Sequence, residues 1–205
     1  MTEHNPSIEL IEAASRGEPQ ARSALVTSWG PTVLSWCTRL GGPGVDAEDA
    51  AHDVFLQVLQ DLHQLRAPAA FPAWIYRIAR REIGRHRRKA WLARSLFGWA
   101  DSDERQIELA SQDQGPRDLV ERAEAVRMVQ DVMLSLSAQH REILVLCDLE
   151  GRSGSEVADL LGIPEGTVRS RLRLARAAFE RKIKPRLGGR MVDARIQATG
   201  GGVSS

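Results

Sequence analysis

Residues 153–176 read SGSEVADLLGIPEGTVRSRLRLAR, and the order of signals in that stretch decides the fold. Ser153 is placed to cap a helix. Glu156, three residues on, has the reach to bond back to the cap's own amide, which makes a capping box ahead of Val157, Ala158, Leu160 and Leu161. Gly162 stops that helix, and Pro164, whose fixed φ suits a first helical position, starts another after a very short turn. At about 100° per residue Val168, Leu172, Ala175, Phe179 and Ile183 form one apolar stripe, which leaves Arg169, Ser170, Arg173 and Ala177 on the outer face. A small, polar, cationic face suits a DNA major groove, because phosphates attract charge and a guanine edge accepts two hydrogen bonds from one guanidinium. The stretch therefore reads as a helix-turn-helix, although an amphipathic helix with a solvated charged face has the same pattern.

Charge elsewhere favours a polyanionic partner. The 205 residues, 42% of them hydrophobic, allow one large domain or two small ones, and the net charge is only +1. That balance hides a segregation. Between positions 73 and 95 Arg77, Arg80, Arg81, Arg85, Arg87, Arg88, Lys89 and Arg94 are opposed only by Glu82, whereas residues 101–131 are predominantly acidic. Cys37 and Cys147 lie far apart in apolar helical patterns and read as core thiols. No His/Cys/carboxylate cluster has zinc-ligand spacing, so neither a metal nor a cofactor is expected. With no apolar run of membrane-spanning length and no signal-peptide layout, the expectation is a cytoplasmic protein without membrane insertion.

Helical periodicity runs through the chain, and the expected fold class is all-α: two small helical domains joined by a flexible linker, the second carrying the helix-turn-helix. Ser7 caps a helix through Ser15, and a second helix over 19–40 is expected to break or bend near Gly30-Pro31. Asp46 caps a long helix with Ala51, Val54, Phe55, Val58, Leu62 and Leu65 on its apolar face. A fourth helix, over 71–89, turns Phe71, Trp74, Ile75, Ile78 and Ile83 inward and its arginines outward. Trp91, Leu92, Leu96, Phe97 and Trp99 are too apolar for a solvated tether and are expected to be packed. The domain boundaries fall at 1–95, a linker over 96–116, a second domain over 117–187 and a disordered tail over 188–205.

The chain resembles the extracytoplasmic-function group of bacterial RNA polymerase sigma factors. The resemblance rests on Asp46-Ala47-Glu48-Asp49 with Asp53-Val54-Phe55, on Phe71-Pro72-Ala73-Trp74-Ile75-Tyr76-Arg77-Ile78-Ala79-Arg80, and on Leu149-Glu150-Gly151 followed by Glu156-Val157-Ala158 and the run from Gly162 to Leu172. These blocks stand in the family's order. The resemblance implies a protein that binds core RNA polymerase and directs it to promoter DNA, duplex and opened single strand, with an anti-sigma factor as a further partner. It implies that Asp49, Asp53, Gln57 and Gln60 dock on the polymerase. Arg77, Arg80, Arg81, Arg85, Arg87 and Arg88 would line the track for the minus-ten strand, with a base pocket at the 66–70 loop. Arg169, Ser170 and Arg173 would read the minus-thirty-five element. Trp74 and Tyr76 are stacking candidates, Trp74 the weaker because it shares the apolar stripe. A stand-alone helix-turn-helix regulator with a helical sensing domain is the alternative. An enzyme is not expected, because no nucleophile with a nearby base, phosphate-cradling glycine loop or catalytic carboxylate cluster is legible.

Overall fold

The computed structural model describes residues 7–97 and 116–199, and every element among them is helical. They gather into two compact units, one of residues 7–97 with 145–168 and one of residues 116–144 with 169–199.

The first unit holds α1 (Ile8–Ser15), α2 (Pro19–Gly41), α3 (Ala47–Asp61), α4 (Phe71–Phe97) and α7 (Gly154–Leu161). Local chemistry starts the helices where it was expected to. The Ser7 hydroxyl accepts from the Leu10 amide at 3.2 Å, and the Asp46 carboxylate accepts from the amides of Glu48 and Asp49 at 2.9 and 3.1 Å. α2 lies at the centre and packs against α1, α3 and α4. Leu25, Trp29, Val33 and Trp36 on α2 are buried with Ala50, Val54 and Val58 on α3 and with Phe71, Ile75, Tyr76, Ala79 and Ile83 on α4. The rings interlock edge to face: Trp29 meets Phe71 at 5.3 Å between centroids and Trp36 meets Tyr76 at 4.9 Å.

The second unit holds α5 (Pro116–Ser135), α6 (Ala138–Leu144) and the part of α8 (Glu165–Thr199) that follows Val168. Val132, Leu136, Ile143, Leu144, Ala175 and Ala178 are buried there. Its least expected feature is a buried arginine. Arg141 donates to the carbonyls of Met133, Leu134 and Leu136 at 3.0, 2.7 and 3.4 Å, closing the end of α5 where backbone acceptors lack helical partners. Lys182 adds a bond from its Nζ to the Ser135 carbonyl at 3.1 Å.

Several elements differ from the sequence expectation. α2 continues through Gly30-Pro31 as one 23-residue helix, since Trp29 and Val33 on either side are both buried and tertiary packing offsets the bond that proline forfeits. α3 ends at Asp61, and the chain then makes two 3-10 turns, Leu62–Gln64 and Pro68–Ala70. α4 runs eight residues past the expected end at Lys89, and α8 runs to Thr199 with Pro185 inside it; a helix already nucleated gains one bond per added residue. Most of the expected linker, residues 98–115, and tail residues 200–205 lie outside the described residues. Trp91, Leu92 and Leu96 are not packed away: they are 64%, 50% and 67% exposed on the last turns of α4. Trp99 lies outside the described residues. No described helix is long and apolar enough to cross a membrane.

Candidate nucleic-acid interface

α4 presents its arginines because its opposite face is the core. Ile75, Ile78, Ala79 and Ile83 are buried, which turns Arg77, Arg80, Arg81, Arg85 and Arg88 to solvent, with Arg87 half-buried. Within this face Glu82 is a buried carboxylate. It accepts from Arg85 Nε at 2.7 Å and from Arg81 Nε at 3.3 Å, so two cations are held in place by one anion beneath them.

The docking candidates on α3 do not behave alike. Asp49 and Gln60 are exposed, while Gln57 is half-buried and donates along its own helix to Asp61. Asp53 is part exposed and its carboxylate is turned toward α4. It accepts from Arg85 at 2.7 Å and from His86 Nε2 at 2.8 Å. The His86 hydrogen bond above all, and then the Arg85 charge, hold the Asp53 carboxyl below the usual carboxylate range. Asp53 is thus a brace between α3 and α4 that fixes one of the candidate strand-binding arginines.

At the helix-turn-helix the capping box is complete: the Glu156 amide donates to Ser153 Oγ at 3.2 Å and the Ser153 amide donates to Glu156 Oε2 at 2.7 Å. The Ser153 hydroxyl, which also donates to Glu156 Oε2 at 2.6 Å, and then the Ser153 amide hold the Glu156 carboxyl below its ordinary range. Gly162 closes α7 at φ 66°, a left-handed conformation that favours glycine. Pro164 stands one residue earlier than expected, at the cap of α8, where its carbonyl accepts from Thr167 and Val168 at 2.8 and 3.2 Å. Val168, Ala175 and Ala178 are buried, and Arg169, Ser170, Arg173 and Ala177 are exposed.

The aromatic candidates exchange roles. Tyr76 is fully buried against Trp36 and offers no stacking surface, whereas Trp74 is half-exposed with its ring 6.0 Å from Phe71. A cleft of about 240 Å³ lies beside the 66–70 loop, lined by Ile11, Glu12, Ser15, Arg16, Leu62, Leu65 and Pro68. Sequence reasoning missed a polar seam. Trp36 on α2 donates from Nε1 to Glu150 at 2.8 Å, and Arg152 Nε pairs with the same carboxylate at 2.8 Å with its guanidinium carbon 6.0 Å from the Trp36 ring centroid. With Trp36 and Glu150 114 positions apart, no local signal announces the contact. Among the described residues no three His, Cys, Asp or Glu side chains come together as a metal site.

Two stretches of the chain match family models, Sigma-70 region 2 over residues 25–93 and Sigma-70, region 4 over residues 127–179. The chain belongs to the sigma-70 family. Its relatives include the ECF RNA polymerase sigma-E factor of Escherichia coli, 29% identical over 90% of this chain and 98% of the relative. A probable RNA polymerase sigma factor, RfaY of Xanthomonas campestris, is 33% identical over 87% of this chain, which spans 44% of that relative's length. These place this sigma factor in the extracytoplasmic-function group. Its fold is that of CnrH, solved in complex with the cytosolic domain of CnrY, at a TM-score of 0.60 and 22% identity over 87% of this chain and 97% of that one. RpoE of Bartonella quintana, solved with the anti-sigma factor NepR, gives a TM-score of 0.60 at 20% identity over 79% and 96%. As a sigma factor the chain acts in transcription initiation, with RNA polymerase and promoter DNA.

Proposed function

We propose that this sigma factor divides promoter recognition between two helices, α4 for the minus-ten strand and α8 for the minus-thirty-five duplex, and works by binding and strand capture without covalent chemistry. The reading assigns residues 1–95 to docking and minus-ten recognition, 96–116 to a linker, 117–187 to minus-thirty-five recognition and 188–205 to a tail. The observation that carries it is the pairing, in one chain, of a solvent-facing arginine helix braced by buried and cross-helix carboxylates with a separately capped helix-turn-helix.

A phosphate track needs cations held in register but no spacing code, which is what Glu82 and Asp53 supply to Arg81 and Arg85. Base reading needs long side chains set among small ones, as Arg169 and Arg173 are with Ser170 and Ala177. An opened strand also needs a place for an unpaired base, and the cleft beside the 66–70 loop, with half-exposed Trp74 on α4, is the candidate. Core polymerase docks on the exposed side of α3 through Asp49 and Gln60, with Gln57 and Asp53 behind them. Both solved neighbours are complexes, and an anti-sigma factor is assigned as the inhibitory partner by that likeness. With partners of this kind, the reading assigns the protein to the cytoplasm.

Adding the purified chain to core bacterial RNA polymerase with genomic promoter fragments tests the assignment. Initiation from a subset of fragments is expected. Tight duplex binding by the chain alone, with no polymerase-dependent initiation, would instead mark a stand-alone regulator.

A further inference from the structure

We infer that the last turns of α4, where Trp91, Leu92 and Leu96 stand exposed beyond the arginine run, form a second base-holding surface for the opened DNA strand, with the Trp91 ring as its stacking platform. The proposal rests on the assignment of α4 to the minus-ten strand above and adds a base site that the 66–70 loop does not supply.

The surface continues the arginine face. At about 100° per residue Arg81, Arg85, Arg88, Leu92 and Leu96 fall within roughly 80° of one another, and all five are exposed. One stripe therefore changes from cationic to apolar just past Arg88, with Trp91 three residues on at its edge. Ala93 and Ser95 are exposed as well, so the end of α4 is bare on several sides and its large apolar side chains have no core to join. Three such side chains clustered in water on two helical turns mark a surface made for contact, where a single exposed leucine would not.

Charge names the occupant. Glu82 is the last acid of α4; residues 83–97 carry Arg85, Arg87, Arg88, Lys89 and Arg94 with no Asp or Glu, so the apolar end lies in a positive field that suits a polyanion. An anionic membrane surface does not fit, because an interfacial helix keeps its charged and apolar faces apart, whereas Arg88 and Leu92 are neighbours on one face. A single nucleic-acid strand does fit. It offers phosphates to cations and the π-face of every base to a flat ring, whatever the sequence. Trp91 stands about 4.5 Å along the helix axis from Arg88, so a phosphate held by that guanidinium leaves an adjoining base within reach of the indole, and Leu92 and Leu96 extend the apolar bed. Phe71, where α4 leaves the 66–70 loop, is about 30 Å from Trp91 along the same axis. The cleft beside that loop and the indole thus stand near opposite ends of one helix, with the arginine track between them.

Trp91→Ala and Trp91→Phe alter an exposed ring near a helix end, where neither substitution reaches the core. Holoenzyme assembled from core polymerase with wild type or either variant is titrated with a promoter duplex, and with the same promoter pre-opened across the minus-ten element, at two salt concentrations. Trp91→Ala is expected to bind the pre-opened promoter about tenfold more weakly, with the duplex affected far less and the salt slope unaltered, because the ring holds no phosphate. Trp91→Phe should keep most of the affinity. An equal loss in Trp91→Phe overturns stacking, and weaker assembly of Trp91→Ala with core polymerase would give the patch to a protein partner and overturn the proposal too. Wild-type holoenzyme that gains nothing from the opened strand overturns the assignment of α4 on which the proposal rests. A wild-type preference for the opened strand that Trp91→Ala retains in full overturns the stacking site alone.

Discussion

α4 and the helix-turn-helix both present arginines to solvent, but they fix them by different physics. On α4 the cations are held side-on by charge: Glu82 sits beneath Arg81 and Arg85, and Asp53 reaches across from α3 to Arg85 and His86. At the helix-turn-helix the backbone sets the direction of α8, through the capping box and left-handed glycine of α7 and a proline cap. A count of cations therefore overstates what α4 offers to phosphates, since Arg85 already faces two carboxylates. It says nothing about aim on α8, where the turn decides. The first arrangement should be sensitive to salt, the second to substitutions that touch no charge.

The largest effect that sharpens this contrast is expected at Gly162. Gly162→Val forces a β-branched residue to φ 66° and should cost on the order of 1–2 kcal/mol. Faster hydrogen exchange in α7, with α4 protected as in the wild type, would show the damage staying on the backbone-set side; equal loss in both helices would break the comparison. Ser153→Ala should follow at about 1 kcal/mol, read as a lower thermal midpoint that added salt does not restore.

Asp53→Asn belongs to the charged side and should cost about 0.5 kcal/mol, discounted because the carboxylate is part exposed. Its pH dependence has a defined sign. Because the folded state lowers the Asp53 pKa, the stabilisation is present above the ordinary carboxylate value near 4 and is lost as pH falls through the lower folded value. Urea titrations of wild type and variant should differ at pH 7 and converge below about pH 4. Persistence of the difference at pH 2 would assign the effect to packing.

A smaller effect separates two arginines of one helix. Arg88→Ala should flatten the log–log salt dependence of promoter binding by about 0.7 to 0.9 of a unit, as loss of one phosphate contact requires. Arg85→Ala should change it less, because Glu82 and Asp53 offset that charge before DNA arrives. Equal slopes would show that the ion pairs dissolve on binding. The smallest effect is chemical: burial pushes the Cys37 thiol up to about 12, so a thiol reagent at neutral pH should leave Cys37 unmodified in the folded protein.

What the sequence made legible was local. Ser7, Asp46 and the Ser153/Glu156 box act within three residues of themselves, and each starts a helix where expected. The outer face of α8 followed from periodicity alone, as did most of the inward face of α4. Contacts that join distant positions were silent: Asp53 with His86, 33 positions apart, and Trp36 with Glu150, 114 apart. Tyr76 illustrates the same limit, because Trp36 buries it from another helix and thereby removes a stacking candidate that the α4 sequence offered. Pro31 illustrates it in reverse, a local breaker overruled by the packing of Trp29 and Val33.

The central claim is that the two arginine helices do different work, and one crossed experiment tests it most directly. Wild type, Arg173→Ala and Arg88→Ala would each be assayed for initiation with core polymerase on promoters mutated separately at the upstream and downstream elements, at two salt concentrations. Arg173→Ala should relax discrimination at one upstream base pair by about 1–3 kcal/mol and leave the downstream preferences as they were. Arg88→Ala should weaken initiation evenly across sequences, with a shallower response to salt. Unaltered upstream preference in Arg173→Ala, together with altered upstream preference in Arg88→Ala, would contradict the account.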